Sequence, residues 1–137
     1  MSRSGYSDVG DGWEFILWRG AVRSAIRGKL GQQFLRELIV ALDTLPNHRL
    51  IDSSFKKSGD VCALGSVAKM RGLFVDDIEP DDDGYVDGAT VATRFGIAPA
   101  LAREIMYEND EATYYAETPE ARWRRMRGWA IANIGTP

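Results

Sequence analysis

The chain predicts a mainly α fold, a compact bundle of about six helices with at most one short β-hairpin or extended strap, and three observations predict it. Apolar residues recur at the three- and four-residue spacing of an amphipathic helix in one segment after another. Helix-starting residues precede those segments, Thr118-Pro119-Glu120 being the strongest set, and Gly28, Gly72, Gly96 or Pro46 follow them. The composition, 137 residues of which 45% are hydrophobic, 27% charged and 10% aromatic, is that of a globular domain large enough to bury one core without disulfides or a structural metal.

Residues 1–10 are rich in Gly, Ser and Asp, have little to bury and read as a flexible lead-in, leaving 11–137 as a single α-helical domain. Asp11 is the expected N-cap of a helix over 12–27. At 100° per residue Phe15, Leu17, Trp18, Ala21, Val22, Ala25 and Ile26 spread over one broad face, with Arg19, Arg23 and Arg27 as a stripe beside it. A second helix, 31–44, places Phe34, Leu35, Leu38, Ala41, Leu42 and Leu45 on one side, and the pair should form a helical hairpin. The segment 49–60 reads as a hairpin or strap with a Ser-Gly-Asp turn. Asp60 is then the expected cap of a third helix that ends at Arg71-Gly72. An acidic loop follows from 73 to 88. Asp87 opens a short helix closed by Gly96, Pro99 opens another that ends at Tyr107 or Glu108, the polar 108–117 reads as loop, and the last helix covers 119–133.

Several chemistries are excluded by counting. Cys62 and His48 are the only residues of their types, so neither an internal disulfide nor a Cys/His zinc cluster can form. No apolar run approaches a membrane span, the N-terminus lacks a secretory h-region, and no P-loop, GxSxG, HExxH or post-strand GxGxxG motif occurs. The expectation is a cytoplasmic, non-catalytic chain with no cofactor, no metal and no membrane contact. Cys62, expected at the second position of the third helix, reads as structural and not as a thiol activated by His48.

Residues 88–105, GATVATRFGIAPALAREI, align to a helix-turn-helix, with Gly96 at the turn and Val91, Phe95, Ala102 and Ile105 inside. The exposed side of its second helix would then carry Ala98, Ala100, Arg103, Glu104 and Tyr107, a poor set for reading bases. Its surroundings oppose duplex binding: residues 76–120 hold 13 acids against two bases. The acidic loop itself contributes Asp76, Asp77, Glu79, Asp81, Asp82, Asp83 and Asp87. Counted from Glu79 it matches part of an EF-hand, but Pro80 follows the first position and Thr90 stands at the twelfth. A solvated loop, or one paired with basic helices of the same chain, is the alternative. Against it stand the Arg19, Arg23, Arg27 stripe and, on the last helix, Trp129 on the same side as Arg122 and Arg125. That trio suits cation–π stacking, a partner surface or a platform for single-stranded bases, or else the rim of the core. Glu108, Asp110 and Glu111 read as surface charge, and Tyr107, Tyr114 and Tyr115 as a weak hint of a groove.

The pieces RGAVRSAIRGKLGQQFLRELIVALDTLP, GDVCALGSVAKMRG, FGIAPALAREIMYENDE and TPEARWRRMRGW resemble a group of small proteins encoded by phages and bacterial prophages, over most of residues 13–134. The resemblance brings no activity and no functional residues with it. It implies a short accessory protein in a bacterial host cell, of the kind that binds and blocks a host machine such as a CRISPR or restriction complex. The expected partner is therefore a host protein or nucleoprotein complex, engaged by the acidic loop or by the Arg/Trp surface. Direct nucleic-acid binding through the helix-turn-helix is the alternative, and the oligomeric state stays open. The net charge of −3 is a cancellation: residues 1–75 carry +4, 76–120 carry −11 and 121–137 carry +4.

Overall fold

The structure, a computed structural model, describes residues 3–6, 13–113 and 116–135. Helix α1 (Trp13–Arg27) and helix α2 (Lys29–Thr44) are separated by Gly28 alone, whose extended backbone (φ −64°, ψ 161°) reverses nothing by itself but breaks the helical ladder. The closeness of the join is set by Gly31, where a Cβ would stand 1.8 Å from the Ala25 carbonyl oxygen. The apolar stripe expected on α2 is buried in full, from Phe34 to Leu45.

Strands β1 (Lys56–Lys57) and β2 (Asp60–Val61) form an antiparallel hairpin with Lys57 opposite Asp60. Ser58 and Gly59 both have positive φ (54° and 84°), the pattern of the two-residue turn that follows strand twist. Helix α3 (Ala63–Arg71) packs so closely on the strap that a Cβ at Gly65 would lie 2.0 Å from the Phe55 carbonyl oxygen. Its cap is Cys62, whose Sγ accepts from the Gly65 N–H at 3.4 Å, and not Asp60. The hairpin displaces the helix start by two residues because Asp60 and Val61 are held in the ladder, and Asp60 instead accepts from Arg49 at 3.0 Å.

The acidic segment makes a 3-10 turn, Asp76–Ile78, and is anchored in the core by buried Val75, Ile78 and Val86. Helix α4 (Gly88–Phe95) is capped by Asp87, which accepts from the Ala89 N–H at 3.1 Å, and it closes on Gly96 in the left-handed region (φ 72°). Helix α5 (Pro99–Asp110) runs past Tyr107, into what reads as loop in the sequence. Helix α6 (Pro119–Asn133) has the expected bounds, with the Thr118 hydroxyl accepting from the Ala121 N–H at 3.1 Å.

The fold is thus mainly α, six helices and one hairpin among the described residues. Helix α2 packs on α3 and α6, and α5 packs on α1, α3 and α4. Where they meet, Phe95 lies edge-on to Phe34 and stacks on Phe55, among Leu35, Leu38, Leu64, Leu101 and Met126, all buried. Each such side chain contributes roughly 1.5–3 kcal/mol of burial free energy.

Two expectations are corrected. On α1, Val22 is buried and Trp18, Ala25 and Ile26 half-buried, but Leu17 and Ala21 are exposed, because α5 and α2 cover only one side of the helix, and Phe15 is exposed as well although it stands on the side of Val22. And residues 3–6 of the lead-in are packed, with Arg3 and Ser4 buried. The rest of that lead-in and the Asp11 cap lie outside the described residues.

Candidate interaction surface

The densest polar cluster lies along α5. Arg3 donates to both carboxylate oxygens of Asp110 (2.5 and 2.9 Å) and to the Cys62 sulfur (3.5 Å), with its guanidinium 5.1 Å from the centre of the Phe55 ring. Burial alone would ease its proton off, but the Cys62 sulfur and the Asp110 carboxylate outweigh this and hold it above the ordinary arginine value. The Tyr6 hydroxyl donates to Glu104 (2.9 Å) and is pushed up by burial and by that carboxylate. Arg103 donates to the Ser4 and Gly5 carbonyls, and the Ser4 hydroxyl donates to Glu111. Arg19 reaches across from α1 to Glu104 at 3.0 Å. Glu108 is pushed up by burial and by Glu104.

This cluster corrects three readings. Glu104 is buried, not on an outward recognition face, and Arg103 and Tyr107 are covered too, Tyr107 by the Tyr6 ring at 4.7 Å. Asp110 is buried against Arg3, not surface charge. Tyr114 and Tyr115 lie outside the described residues. The helix-turn-helix geometry of α4, Gly96 and α5 is present, but the side of α5 that would enter a groove is occupied by residues 3–6 and α1.

The residue that sequence reasoning missed is Asn109. Its side-chain oxygen accepts from the Ala63 N–H (3.0 Å), its amide donates to the Ile51 carbonyl (2.9 Å), and its own carbonyl accepts from Arg122 (3.0 Å). It therefore ties the strap, α3 and α6 to the end of α5. In the sequence it sits in a polar run, and its partners are 13 to 58 residues away.

Most of the acidic loop is engaged within the chain. Asp76 pairs with Lys56 (2.6 Å) and Asp77 makes a two-pronged pair with Arg94, which holds its carboxyl below the usual range. Glu79 turns inward to accept from the Phe55 and Lys56 N–H groups, and Asp81 accepts from those of Asp83 and Tyr85. The EF-hand alignment is therefore not realised: among the described residues no three His, Cys, Asp or Glu side chains stand close enough to hold a metal ion. Asp82 and Asp83 make no side-chain hydrogen bond or ion pair among the described residues, while Asp76, Asp77, Asp81 and Asp87 stay exposed despite theirs.

The basic patches are depleted in the same way. Arg122 is buried and donates to the Asn109 and Leu50 carbonyls, while Arg125 makes a two-pronged pair with Glu117 (2.7 and 2.9 Å). Trp129 is half-buried against the core rim, so the expected Arg/Trp trio does not form an open platform. His48 stacks on Trp123 at 4.0 Å, whereas Cys62 is buried against Arg3, so the two are not brought together. Of the Arg19, Arg23, Arg27 stripe, only Arg23 and Arg27 remain exposed, with no ion-pair partner among the described residues.

Exposed apolar side chains are concentrated on the outer side of α1, with Leu30, Val40, Phe74, Tyr85 and Ile131 exposed singly elsewhere among the described residues. Trp13 is 69% exposed, Ile16 59% and Leu17 56%, while Phe15, 51% exposed, points to the side of Val22 at the start of the helix. At about 100° per residue Trp13, Leu17, Gly20 and Ser24 fall within an arc of about 60°, opposite buried Val22, with Ile16, Arg23 and Arg27 along one edge. Nothing lies within 4 Å of where a Cβ on Gly20 would be. No helix is long and apolar enough to cross a membrane among the described residues. Compared with protein-family models, with curated proteins and with solved structures, the chain matches none.

Proposed function

We propose that this chain is a non-catalytic accessory protein of phage type that binds a host protein or nucleoprotein complex, and that it does so through the outer side of α1. The observation that carries the reading is the exposure of three apolar side chains in the first turns of α1, Trp13, Ile16 and Leu17, on the side of the helix opposite buried Val22. Trp is the residue most often found as the anchor of an interface, and Gly20 lets a partner helix approach the backbone. Arg23 and Arg27 along the edge select a partner with acidic flanks. The ionisable groups Cys62, Glu104 and Asp110 are each held by an arginine, which favours binding over catalysis.

Anti-CRISPR or anti-restriction action is the form of this proposal to test first. Expressed in a bacterium carrying such a system, the chain should raise the plating efficiency of a sensitive phage at least tenfold. The double variant Trp13→Glu, Leu17→Glu should lose the effect while keeping its helical circular dichroism, because both side chains are outside the core. A variant as active as the wild type removes α1 from the proposal, and no effect of the wild type on any system removes the anti-defence role.

A second reading, a nucleic-acid-binding regulator, is favoured by one observation, the α4–Gly96–α5 geometry with its buried Val91, Phe95 and Ile105. Binding would require residues 3–6 to leave Arg103. A mobility shift with duplex DNA over 50–200 mM salt decides it, since absence of retardation at the lowest salt ends that reading.

A further inference from the structure

The hairpin and α3 enclose a groove of about 620 Å³, which shares no residue with the α1 surface. Its floor is apolar: Val61, Ala68 and Val75 are buried and Leu73 half-buried. Its rim is cationic. Lys57 on the hairpin and Lys69 on α3 are exposed with no ion-pair partner among the described residues, and Lys56 beside them is held by Asp76. The one carboxylate on the lining, Asp60, is paired with Arg49 from outside the groove at 3.0 Å, so it does not cancel the lysines.

Glycine keeps the mouth clear. Gly59 at the hairpin tip (φ 84°) and Gly72 at the end of α3 (φ 67°) both line the groove, and nothing lies within 4 Å of a Cβ built on either. The backbone on this side offers little to an extended peptide. The Phe55 and Lys56 N–H groups donate to Glu79, and the Val61 carbonyl accepts from Ile51, so neither edge of the hairpin is free to take another strand. A volume in the range of small-molecule sites, an apolar floor and two free ammonium groups at the opening describe a site for a compact ligand with a charged end.

We propose that this groove binds a small organic anion, an apolar body that lies on Val61, Ala68 and Val75 and carries a carboxylate or phosphate head between Lys57 and Lys69. The apolar body supplies affinity by leaving water, and the two ammonium groups orient the head through charge-assisted hydrogen bonds.

The test is a titration of the full chain, followed through its backbone amide NMR signals, with octanoate, octyl phosphate, 1-octanol and inorganic phosphate. Octanoate or octyl phosphate should move the signals of Lys57, Gly59, Val61, Lys69 and Gly72, and the tighter of the two identifies the head group. Octanol, with the same body and no charge, and inorganic phosphate, with the charge and no body, should each bind at least tenfold more weakly. The Lys57→Gln, Lys69→Gln variant should bind the preferred anion at least tenfold more weakly, and Arg124→Gln as tightly as wild type. The proposal is overturned if shifts are absent, if they are confined to α1, or if the double lysine variant binds unchanged. Because both lysine side chains are exposed, unchanged signals elsewhere in the variant show that the fold is intact.

Discussion

Glu108 is the residue whose environment makes the sharpest claim about charge. Burial and the nearby Glu104 carboxylate hold its proton on, so its folded value lies above the ordinary 4.5 of the unfolded chain. A carboxyl raised on folding makes the folded state take up protons, so stability falls as pH rises from the unfolded value through the folded one, and the loss is complete above it. Glu108→Gln should therefore unfold at higher urea than the wild type at pH 7. The gain should vanish well below pH 4.5, where Glu108 is protonated in both states. An equal gain at both pH values would show that it came from helix propensity and not from charge. Neither this effect nor the Arg3–Asp110 pair was legible in the sequence. Glu108 and Asp110 stand in a run that looks solvated, and the arginine that makes Asp110 an interior residue is 107 positions away. Local pattern reports what a residue is, while its dielectric is set by what arrives from elsewhere in the chain.

At the scale of elements, what was legible followed from local chemistry. Thr118, Asp87 and the left-handed Gly72 and Gly96 act within one turn of their own position, so helix ends could be read from neighbours. Which side of α1 faces inward could not be read that way. Phe15, Ile16, Leu17 and Trp18 are consecutive, so they cover every side of the helix, and the positions of α5, α2 and the Tyr6 ring select Trp18 and Val22. Two glycines of this hairpin make the distinction measurable. Gly31→Ala drives a methyl to 1.8 Å from the Ala25 carbonyl oxygen, a backbone atom that cannot turn aside, and should lower stability by about 3 kcal/mol. Gly20→Ala meets nothing and should raise stability by about 0.5–1 kcal/mol through helix propensity. Urea denaturation of both variants checks the pair, and destabilisation by Gly20→Ala would mean that α1 is covered within the chain after all. If α1 receives a partner helix at Gly20, the same stabilising variant should weaken partner binding.

Over the whole molecule, the separation of +4, −11 and +4 along the sequence is partly offset by folding. Lys56 and Arg94 take Asp76 and Asp77, Arg3 and Arg19 take Asp110 and Glu104, and Arg125 takes Glu117. The dipole that suggested an acidic docking loop is thus partly an internal seam, while Asp82 and Asp83 keep their charge with no side-chain partner among the described residues. A seam of this kind has a direction in pH. Hydrogen bonds from Arg125, Arg94 and Arg127 hold the carboxyls of Glu117, Asp77 and Asp43 below their ordinary values. For a carboxyl lowered on folding, the stabilisation is complete above the unfolded value and is lost as pH falls through the folded one. Stability should therefore decline from just above the ordinary 4.5 of Glu and 3.8 of Asp downwards, and be flat with respect to these groups near neutrality. Glu117 should dominate, because its side chain is only 4% exposed, while Asp77 and Asp43 are open to water and screened. Arg125→Gln isolates its share: the variant should lose roughly 2 kcal/mol at pH 7. The deficit should shrink as Glu117 becomes protonated in the wild type as well. Urea unfolding of wild type and variant at pH 7 and pH 3 decides it, since a deficit of the same size at both values would place the role of Arg125 in its packing against Met126 and the Asn109 carbonyl and not in the ion pair.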